Sequence, residues 1–242
     1  MIPALRRTGE RMHYDFALAW STLPQLLRGA AVSLAVLLPV LLLGLLIAIP
    51  VALRRASARR RWISAGYIGF FRGVPSLILL YAIYNGLPQL SAIRDGPLWP
   101  FFSNAYFCAV VGLSLTHSAY LAEILRAGLQ AVPHGVIEAA TALGIRPHII
   151  FWKIRWPIAA RHSLRAYQNE ILIMVKSTAA VGAITLVELN AAANEVFEFT
   201  YDPFTPLLTA AAIYWTIINI IRYGFDAVDR FLNAGQTRAL IK

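Results

Sequence analysis

The sequence predicts an all-α membrane protein of about five transmembrane helices, and three observations support this fold class. Of 242 residues, 58% are hydrophobic and only 14% are charged, and the mean hydropathy is +0.60. Soluble domains carry about 25% charged residues, so this chain has too little polar surface for a soluble fold. Long apolar runs recur along the chain, and Lys and Arg collect in alternate loops between them.

Five stretches are long enough to cross a bilayer, which takes about 20 mainly apolar residues in a helix. All but one contain an extended run without any charged residue. The exception, the fourth along the chain, includes Glu170 and Lys176. We predict spans at residues 29–53, 62–85, 104–127, 163–187 and 205–227.

The loop charges predict the orientation of these spans, because short cytoplasmic loops are enriched in Lys and Arg. The first loop contains the run RRASARRR at 54–61, and the third carries five basic residues between 146 and 165. The fourth loop, residues 188–202, has only acidic charges. We therefore place loops one and three in the cytoplasm, the N-terminus outside and the C-terminus inside. Three arginines within the first eleven residues oppose this orientation.

This topology divides the chain into three parts. Residues 1–28 form an external N-terminal segment, whose amphipathic stretch 13–28 is expected to lie at the membrane interface. Residues 29–227 form a single transmembrane domain, and residues 228–242 form a cytoplasmic tail. The acidic residues of the fourth loop, Glu188 among them, could dock an external protein, attract cationic solutes or simply be a solvated surface.

The segment PHGVIEAATALGIRPHIIFWKIRWP, residues 133–157, follows the third span and has the features of a short docking helix. Pro133 suits the first turn of a helix, and Gly144 can end that helix in a left-handed conformation. Pro157 forces a new start just before the fourth span. Ala139 and Ala140, within the short helix, are small enough to let another surface approach the backbone. On these grounds alone the segment either docks on a partner protein or lies on lipid.

The same segment resembles the EAA loop of bacterial ABC-importer permeases, which reads Glu-Ala-Ala, three residues, Gly, nine residues, then Ile-x-Leu-Pro. The matching positions are Glu138, Ala139, Ala140, Gly144, Ile154 and Pro157. The chain departs at Trp156, where Leu is usual. Other stretches are similar to the polar amino-acid uptake branch of this family, and the subgroup they match is the M-type permease of histidine, lysine/arginine/ornithine and octopine or nopaline importers. These stretches are FFRGVPSLILL (70–80), YLAEILRAGLQAVPHGVIEAA (120–140), YQNEILIMVKSTA (167–179) and TYDPFT (200–205).

The resemblance implies a MetI-like permease fold in the bacterial inner membrane, with a periplasmic N-terminus and the segment 133–157 as the cytoplasmic coupling loop. It implies four kinds of partner: a second homologous permease chain, two ATP-binding subunits, a periplasmic solute-binding protein and membrane lipid. The implied activity is ATP-driven uptake of an amino acid, with basic amino acids or opines as the solute class.

The chain itself is not expected to be an enzyme. It has no G-x-x-x-x-G-K-[ST] phosphate-binding loop, so ATP hydrolysis belongs to a separate subunit. No nucleophile–base pair or metal-ligand set is evident, and we expect no cofactor and no metal. The net charge of +10 adjoins apolar runs instead of forming a soluble basic face, so we expect no nucleic-acid partner.

Polar residues within the spans are the candidates for a solute pathway, since a charge at the centre of a membrane helix costs at least about 2.5 kcal/mol. The candidates are Lys176, Asn169, Glu170, Thr116, His117 and Tyr120. Lys176 could recognise a solute carboxylate, or form a structural or gating ion pair. Asn169 shares its helical face, whereas Glu170 does not, so a direct Glu170–Lys176 pair is not expected. For His117 an ordinary core position is the more common role of a lone histidine, and a place in the pathway is the alternative.

Two other polar features have mainly structural explanations. Glu123 and Arg126 have the i,i+3 spacing of a helical salt bridge. The sequence Arg72-Gly73-Val74-Pro75 favours a kink in the second span.

The alternative function is that of an ion-coupled secondary transporter or channel, in which Lys176 and Glu170 would carry the coupling. The lack of an internal repeat disfavours it. Dependence of uptake on ATP hydrolysis distinguishes the two functions.

Overall fold

The computed structural model describes residues 13–56 and 61–239, and all regular secondary structure within those ranges is helical. The helices are α1 (Phe16–Ala56), α2 (Arg61–Gly73), α3 (Ser76–Tyr81), α4 (Ser91–Arg94), α5 (Trp99–Phe102), α6 (Ala105–Gln130), α7 (His134–Ala142), α8 (Pro147–Ile149), α9 (Trp156–Ser177), α10 (Leu189–Thr200) and α11 (Phe204–Ala239). π-helical turns occur at Ala82–Gly86 and Ile150–Arg155, and 3₁₀ turns at Leu87–Gln89 and Thr178–Ile184. The arginines of the first eleven residues, part of the basic first loop and the last three residues of the predicted tail lie outside the described residues.

Three helices, α1, α6 and α11, are long and apolar enough to cross a membrane. Two further pairs pass the same test together but are bent, Trp62–Gly73 with Ser76–Gln89 by 101° and Pro147–Ile184 with Leu189–Thr200 by 52°. The predicted five spans are therefore present if each bent pair counts as one. The first bend and the end of α9, which precedes the second bend, border the cavity described below.

Helix α1 begins at Phe16 and runs for 41 residues without interruption, so it includes most of the stretch 13–28 together with the predicted span 29–53. At 1.5 Å per residue the helix is about 60 Å long, twice the thickness of the hydrocarbon core. Two polar residues of the stretch 13–28 have partners on other helices. Gln25 Nε2 donates to Glu195 Oε2 at 3.1 Å, and Tyr14 Oη lies 2.9 Å from Thr209 Oγ1.

The second predicted span is broken at the Gly-x-Pro sequence, as the kink prediction required. Helix α2 ends at Gly73 and α3 begins at Ser76. Pro75 has no N–H to continue the helix and disfavours a helical conformation at the residue before it. Its own backbone is extended, with φ −57° and ψ 135°. The chain therefore changes direction in the middle of the span and not at its beginning.

The fourth predicted span, 163–187, is only partly α-helical, which corrects the prediction. Helix α9 ends at Ser177, and a seven-residue 3₁₀ segment follows to Ile184. Thr185 then adopts a left-handed conformation with φ 72°, and α10 begins at Leu189. A 3₁₀ run of this length is uncommon and has poorer hydrogen-bond geometry than an α-helix. It is stabilised by burial, since Val181 and Ile184 are fully enclosed.

Helix α6 lies at the centre, packed against α1 and α9 through small residues. A Cβ atom on Gly128 of α6 would collide with Ser163 Oγ of α9 and would lie 2.8 Å from the Ala159 carbonyl oxygen. Small residues at such contacts let membrane helices approach closely, which is a main source of their association. The largest group of buried apolar side chains combines residues of α1, α3, α6, α9 and the 3₁₀ segment. It includes Val36, Val40, Leu79, Leu80, Cys108, Leu113, Met174, Val181 and Ile184.

The close approach of α6 and α9 predicts the effect of adding one methyl group. Gly128→Ala should lower the stability of the folded protein by about 1–3 kcal/mol, because the backbone of α9 has to move. Gly69→Ala is the matched control, since nothing lies within 4 Å of its Cβ position and alanine favours a helix. Thermal unfolding of the purified proteins in one detergent measures both. Equal midpoints for the two variants would contradict the packing described for Gly128.

Candidate functional site

A cavity of about 290 Å³ opens at the break of the second span, between that break, α6 and α9. It is lined by Arg72, Gly73, Val74, Pro75, Ser76, Thr116, Tyr120, Glu170, Ile173, Met174 and Ser177. The lining combines one carboxylate, one guanidinium and several hydroxyl groups with apolar walls. A concave site with a few convergent polar groups on apolar walls is the usual form of a small-molecule site.

Glu170 is the only acidic residue among the lining residues, and it is enclosed by the protein. The side chain is 4% exposed, and its Oε1 lies 3.3 Å from Nδ1 of His117, which is itself completely buried. Among the described residues the carboxylate makes no other hydrogen bond. The second carboxylate oxygen is therefore available to a group in the cavity. A buried carboxylate is costly unless it is paired or hydrogen-bonded.

Arg72 and Tyr120 also line the cavity and contact each other. The Arg72 guanidinium carbon lies 5.0 Å from the centre of the Tyr120 ring, within the range of a cation–π contact. The Tyr120 hydroxyl donates to the Arg72 carbonyl oxygen at 3.4 Å. Arg72 has no salt bridge among the described residues. The sequence predicts only a structural role in the kink for Arg72. The sequence feature that could have indicated its place in the cavity is that Arg72 directly precedes the Gly-x-Pro break.

The structure divides the predicted pathway residues into two groups. Thr116, Tyr120 and Glu170 line the cavity, and His117 lies behind Glu170. Asn169 and Lys176 do not line it; both are exposed on α9, as their spacing of seven predicts for one helical face. Asn169 borders a smaller cavity with Arg165 and Asp226. Lys176 forms no salt bridge with Glu170 in the structure, as expected from their spacing.

The predicted Glu123–Arg126 salt bridge is present. Arg126 Nε donates to Glu123 Oε2 at 3.0 Å. The pair lies in the last two turns of α6, and neither of its residues lines the cavity of Glu170.

The segment 133–157 forms a short helix whose end has a defined geometry. Gly144 has φ +74°, the left-handed conformation predicted for it. The Gly144 N–H donates to the Thr141 carbonyl at 2.9 Å and the Ile145 N–H to the Ala140 carbonyl at 3.2 Å. This pair of bonds is a Schellman motif, which needs a left-handed residue at this position.

The residues of the EAA sequence lie in different environments. Glu138, Ala139, Gly144 and Pro157 are exposed, Ile154 is half-buried and Ala140 is buried. Pro133 precedes the first residue of α7, one position before the predicted first turn. Pro157 lies in the first turn of α9. The helical backbone continues into that turn from the π-helical segment Ile150–Arg155, so the new start predicted at Pro157 is wrong. Leu143 and Trp152 are large apolar side chains with 79% and 61% exposure, so this part of the chain presents an uncovered apolar surface.

Glu188 was predicted in an acidic external loop, but it is fully buried, which corrects that assignment. Its carboxylate accepts hydrogen bonds from the backbone N–H groups of Asn190 and Ala191, both at 2.8 Å, and caps the start of α10. It also accepts from Tyr214 Oη of α11 at 2.8 Å and from Ser33 Oγ of α1 at 3.5 Å. Glu188 thus joins three helices, and its role is structural.

The structure combines broken membrane helices around a partly polar cavity with an exposed apolar helix beyond α6. These features are typical of helical membrane proteins that transport solutes. Comparison with protein families gives a match to the binding-protein-dependent transport system inner membrane component over residues 40–233. The chain belongs to this family.

Curated relatives agree with this family. The octopine transport system permease protein OccM of Rhizobium meliloti is 41% identical over 209 residues, 85% of each chain. The nopaline transport system permease protein NocM of Agrobacterium fabrum is 36% identical over 86% of this chain and 87% of its own. The arginine transport system permease protein ArtQ of Bacillus subtilis is 32% identical over 93% of this chain and 100% of its own.

Two solved structures have the same fold. A crystal structure of an amino acid ABC transporter with histidines matches with a TM-score of 0.79 and 30% identity, over 90% of this chain and 99% of that chain. An inward-facing structure of the MetNI methionine ABC transporter matches with a TM-score of 0.71 and 22% identity over the same shares. The second likeness concerns the fold alone. Together they confirm the predicted MetI-like permease fold.

The position of Glu188 predicts a strong effect on stability. Glu188→Ala should lower the free energy of unfolding by about 2–4 kcal/mol, because it removes a helix cap and leaves buried donors without an acceptor. Glu198→Ala is the matched control, since Glu198 is exposed on the same helix. The yield of monodisperse protein and its thermal midpoint in detergent measure the difference. If the Glu188 variant behaved as the Glu198 variant does, the hydrogen-bonding role assigned to Glu188 would be wrong.

Proposed function

We propose that this chain is the permease subunit of an ATP-driven importer of the bacterial inner membrane, and that its solutes are basic amino acids or opines. The family membership supports the importer, and the relatives named for octopine, nopaline and arginine transport support the solute class. The observation that carries the proposal is the enclosed carboxylate of Glu170 with one oxygen available to the cavity.

The chemistry of the cavity fits a solute that carries both a negative and a positive charge. An amino acid or opine presents a carboxylate and at least one cationic nitrogen, and the cavity lining contains one group complementary to each. Glu170 would accept hydrogen bonds from an ammonium or guanidinium group. Arg72 would bind the solute carboxylate, for which the guanidinium fork is well suited. Ser76, Thr116 and Ser177 supply hydroxyl groups that can bond to either end.

The segment 133–157 is the proposed coupling loop to the ATP-binding subunit. Its coupling residues are Glu138, Ala139, Ala140, Gly144, Ile154 and Pro157. The exposed side chains of Leu143 and Trp152 supply apolar surface for a groove on that subunit. Movement of the docked loop would be transmitted through Pro157 into α9, which carries Glu170. Coupling by rigid movement about a docked interface changes which side of the membrane the cavity faces.

The proposed assembly contains a second homologous permease chain, two ATP-binding subunits and a periplasmic solute-binding protein. The N-terminus would be periplasmic and the C-terminus cytoplasmic, with residues 29–227 as one transmembrane domain. Asn169 and Lys176, exposed on one face of α9, would face the second permease and the pathway between the two chains. An exposed lysine at membrane depth is costly on lipid, which supports a polar or protein surface at this place.

The proposed function predicts uptake that depends on ATP hydrolysis by the partner. The complete transporter is reconstituted in proteoliposomes with the binding protein and radiolabelled arginine or octopine. It should accumulate solute only when hydrolysable ATP is present on the side of the membrane that the ATP-binding subunits face. Collapsing proton and sodium gradients should leave this uptake unchanged. Gradient-driven uptake with a catalytically inactive ATPase would instead establish an ion-coupled transporter.

The left-handed Gly144 predicts which substitutions uncouple the loop. Gly144→Val should weaken co-purification with the ATP-binding subunit and reduce uptake at least about tenfold, because a β-branched residue is strained at positive φ. Gly144→Asn is the control, since asparagine tolerates this conformation. Membrane insertion should be normal for both. Full co-purification and uptake by the valine variant would show that the end of α7 does not form the docking geometry.

A further inference from the structure

His117 is held between two helices by opposite edges of its ring. The side chain is completely buried on α6. Its Nδ1 edge faces Glu170 of α9 at 3.3 Å. Its Cδ2 edge faces α1 at Gly44, where an added Cβ would collide with Cδ2 and lie 3.1 Å from Cγ. The imidazole can occupy this place only because position 44 has no side chain.

The two ring nitrogens of His117 differ in their surroundings. Nδ1 has the Glu170 carboxylate as its partner, whereas Nε2 is buried with no hydrogen-bond partner among the described residues. A buried N–H without an acceptor is rarer and costlier than an unused acceptor. We therefore assign the ring proton to Nδ1, so that Nδ1–H donates to Glu170 Oε1 and Nε2 carries only its lone pair.

This hydrogen bond acts on the group that lines the cavity. With Oε1 held by the ring, the side chain of Glu170 is restrained and Oε2 is left for the cavity. The Tyr167 ring, one turn earlier on α9 and 6.1 Å from the imidazole, closes another side of the histidine. The charged groups near the cavity on α2 and α6 do not reach His117, since its one ion-pair partner among the described residues is Glu170.

We propose that His117 is a positioning residue for solute recognition: its Nδ1–H orients the Glu170 carboxylate toward the cavity, and Gly44 of α1 provides the space for its ring. This inference rests on the proposed function of the cavity and adds two residues that do not line it. A histidine that merely filled the core would be replaceable by an apolar residue of similar size without a change in charge recognition.

The test measures binding of arginine and of citrulline to the complete transporter in nanodiscs without binding protein. Citrulline has nearly the shape of arginine but no side-chain charge, so the ratio of the two affinities reports the Glu170 carboxylate. His117→Leu should reduce this ratio at least about tenfold, as expected for a hydrogen bond to a charged group. His117→Asn should retain most of the ratio, because its amide nitrogen lies where Nδ1 lies. In a Glu170→Gln background, His117→Leu should have little further effect.

Gly44→Ala tests the second half of the proposal without touching the histidine. Its added methyl group should displace the ring and reduce the arginine-to-citrulline ratio as His117→Leu does. Gly66→Ala is the matched control, since nothing lies within 4 Å of its Cβ position. Thermal midpoints of all variants are measured in parallel, and the asparagine and Gly44 variants decide the matter if the leucine variant does not fold.

The outcomes separate this inference from the function on which it rests. If Glu170→Gln binds arginine as the wild type does, or the wild type binds neither ligand, the proposed cavity is wrong and the inference falls with it. If Glu170→Gln loses discrimination while His117→Leu and Gly44→Ala keep it, the cavity stands and the positioning role is overturned. Loss of discrimination in the asparagine variant equal to that in the leucine variant would also overturn it.

Discussion

A carboxylate enclosed among membrane helices must obtain its hydrogen-bond donors from the protein, because hydrocarbon supplies none. Within the described part of the chain, two buried carboxylates, Glu188 and Glu170, meet that constraint in different ways. Glu188 accepts bonds from two backbone N–H groups, a tyrosine and a serine, and so joins α1, α10 and α11. Glu170 has a single donor, His117, and keeps one oxygen without a partner in the protein. The carboxylate of Glu188 is fully hydrogen-bonded and joins three helices, whereas the carboxylate of Glu170 has a donor for only one of its oxygens among the described residues.

The helix breaks follow from the same constraint. Backbone that leaves the helix inside a membrane has to be covered by protein or has to line a cavity. The break at Gly73–Pro75 lines the cavity of Glu170, and the 3₁₀ segment Thr178–Ile184 is buried in the core beside it. Ser177, where α9 ends, belongs to the cavity as well. The break of the second span and the end of α9 therefore both border the cavity that Glu170 lines.

The parts of this architecture that could be predicted from the sequence depend on local signals. Apolar run length predicted the spans, Gly-x-Pro predicted the break, and the spacing of the EAA sequence predicted a helix that ends at Gly144. The predictions of an uninterrupted fourth span, of a new helix start at Pro157 and of an exposed Glu188 were wrong. The burial of Glu188 depends on partners far away in the chain. Ser33 and Glu188 are 155 residues apart, and nothing near either residue indicates the other. The pairing of His117 with Glu170 across 53 residues was not predicted for the same reason, although both were recognised as candidates.

The contacts of α1 bear on how the protein is made. Tyr14 precedes α1 and Ser33 lies on it, and both are synthesised before the part of the chain that holds their partners, Thr209 and Glu188. Until that part is inserted, the hydroxyl of Ser33 and the notch at Gly29 beside it face lipid or the insertion machinery. Before α10 is in place, this part of α1 is therefore uncovered, and the Ser33 hydroxyl has the Gly29 carbonyl of its own helix as its acceptor.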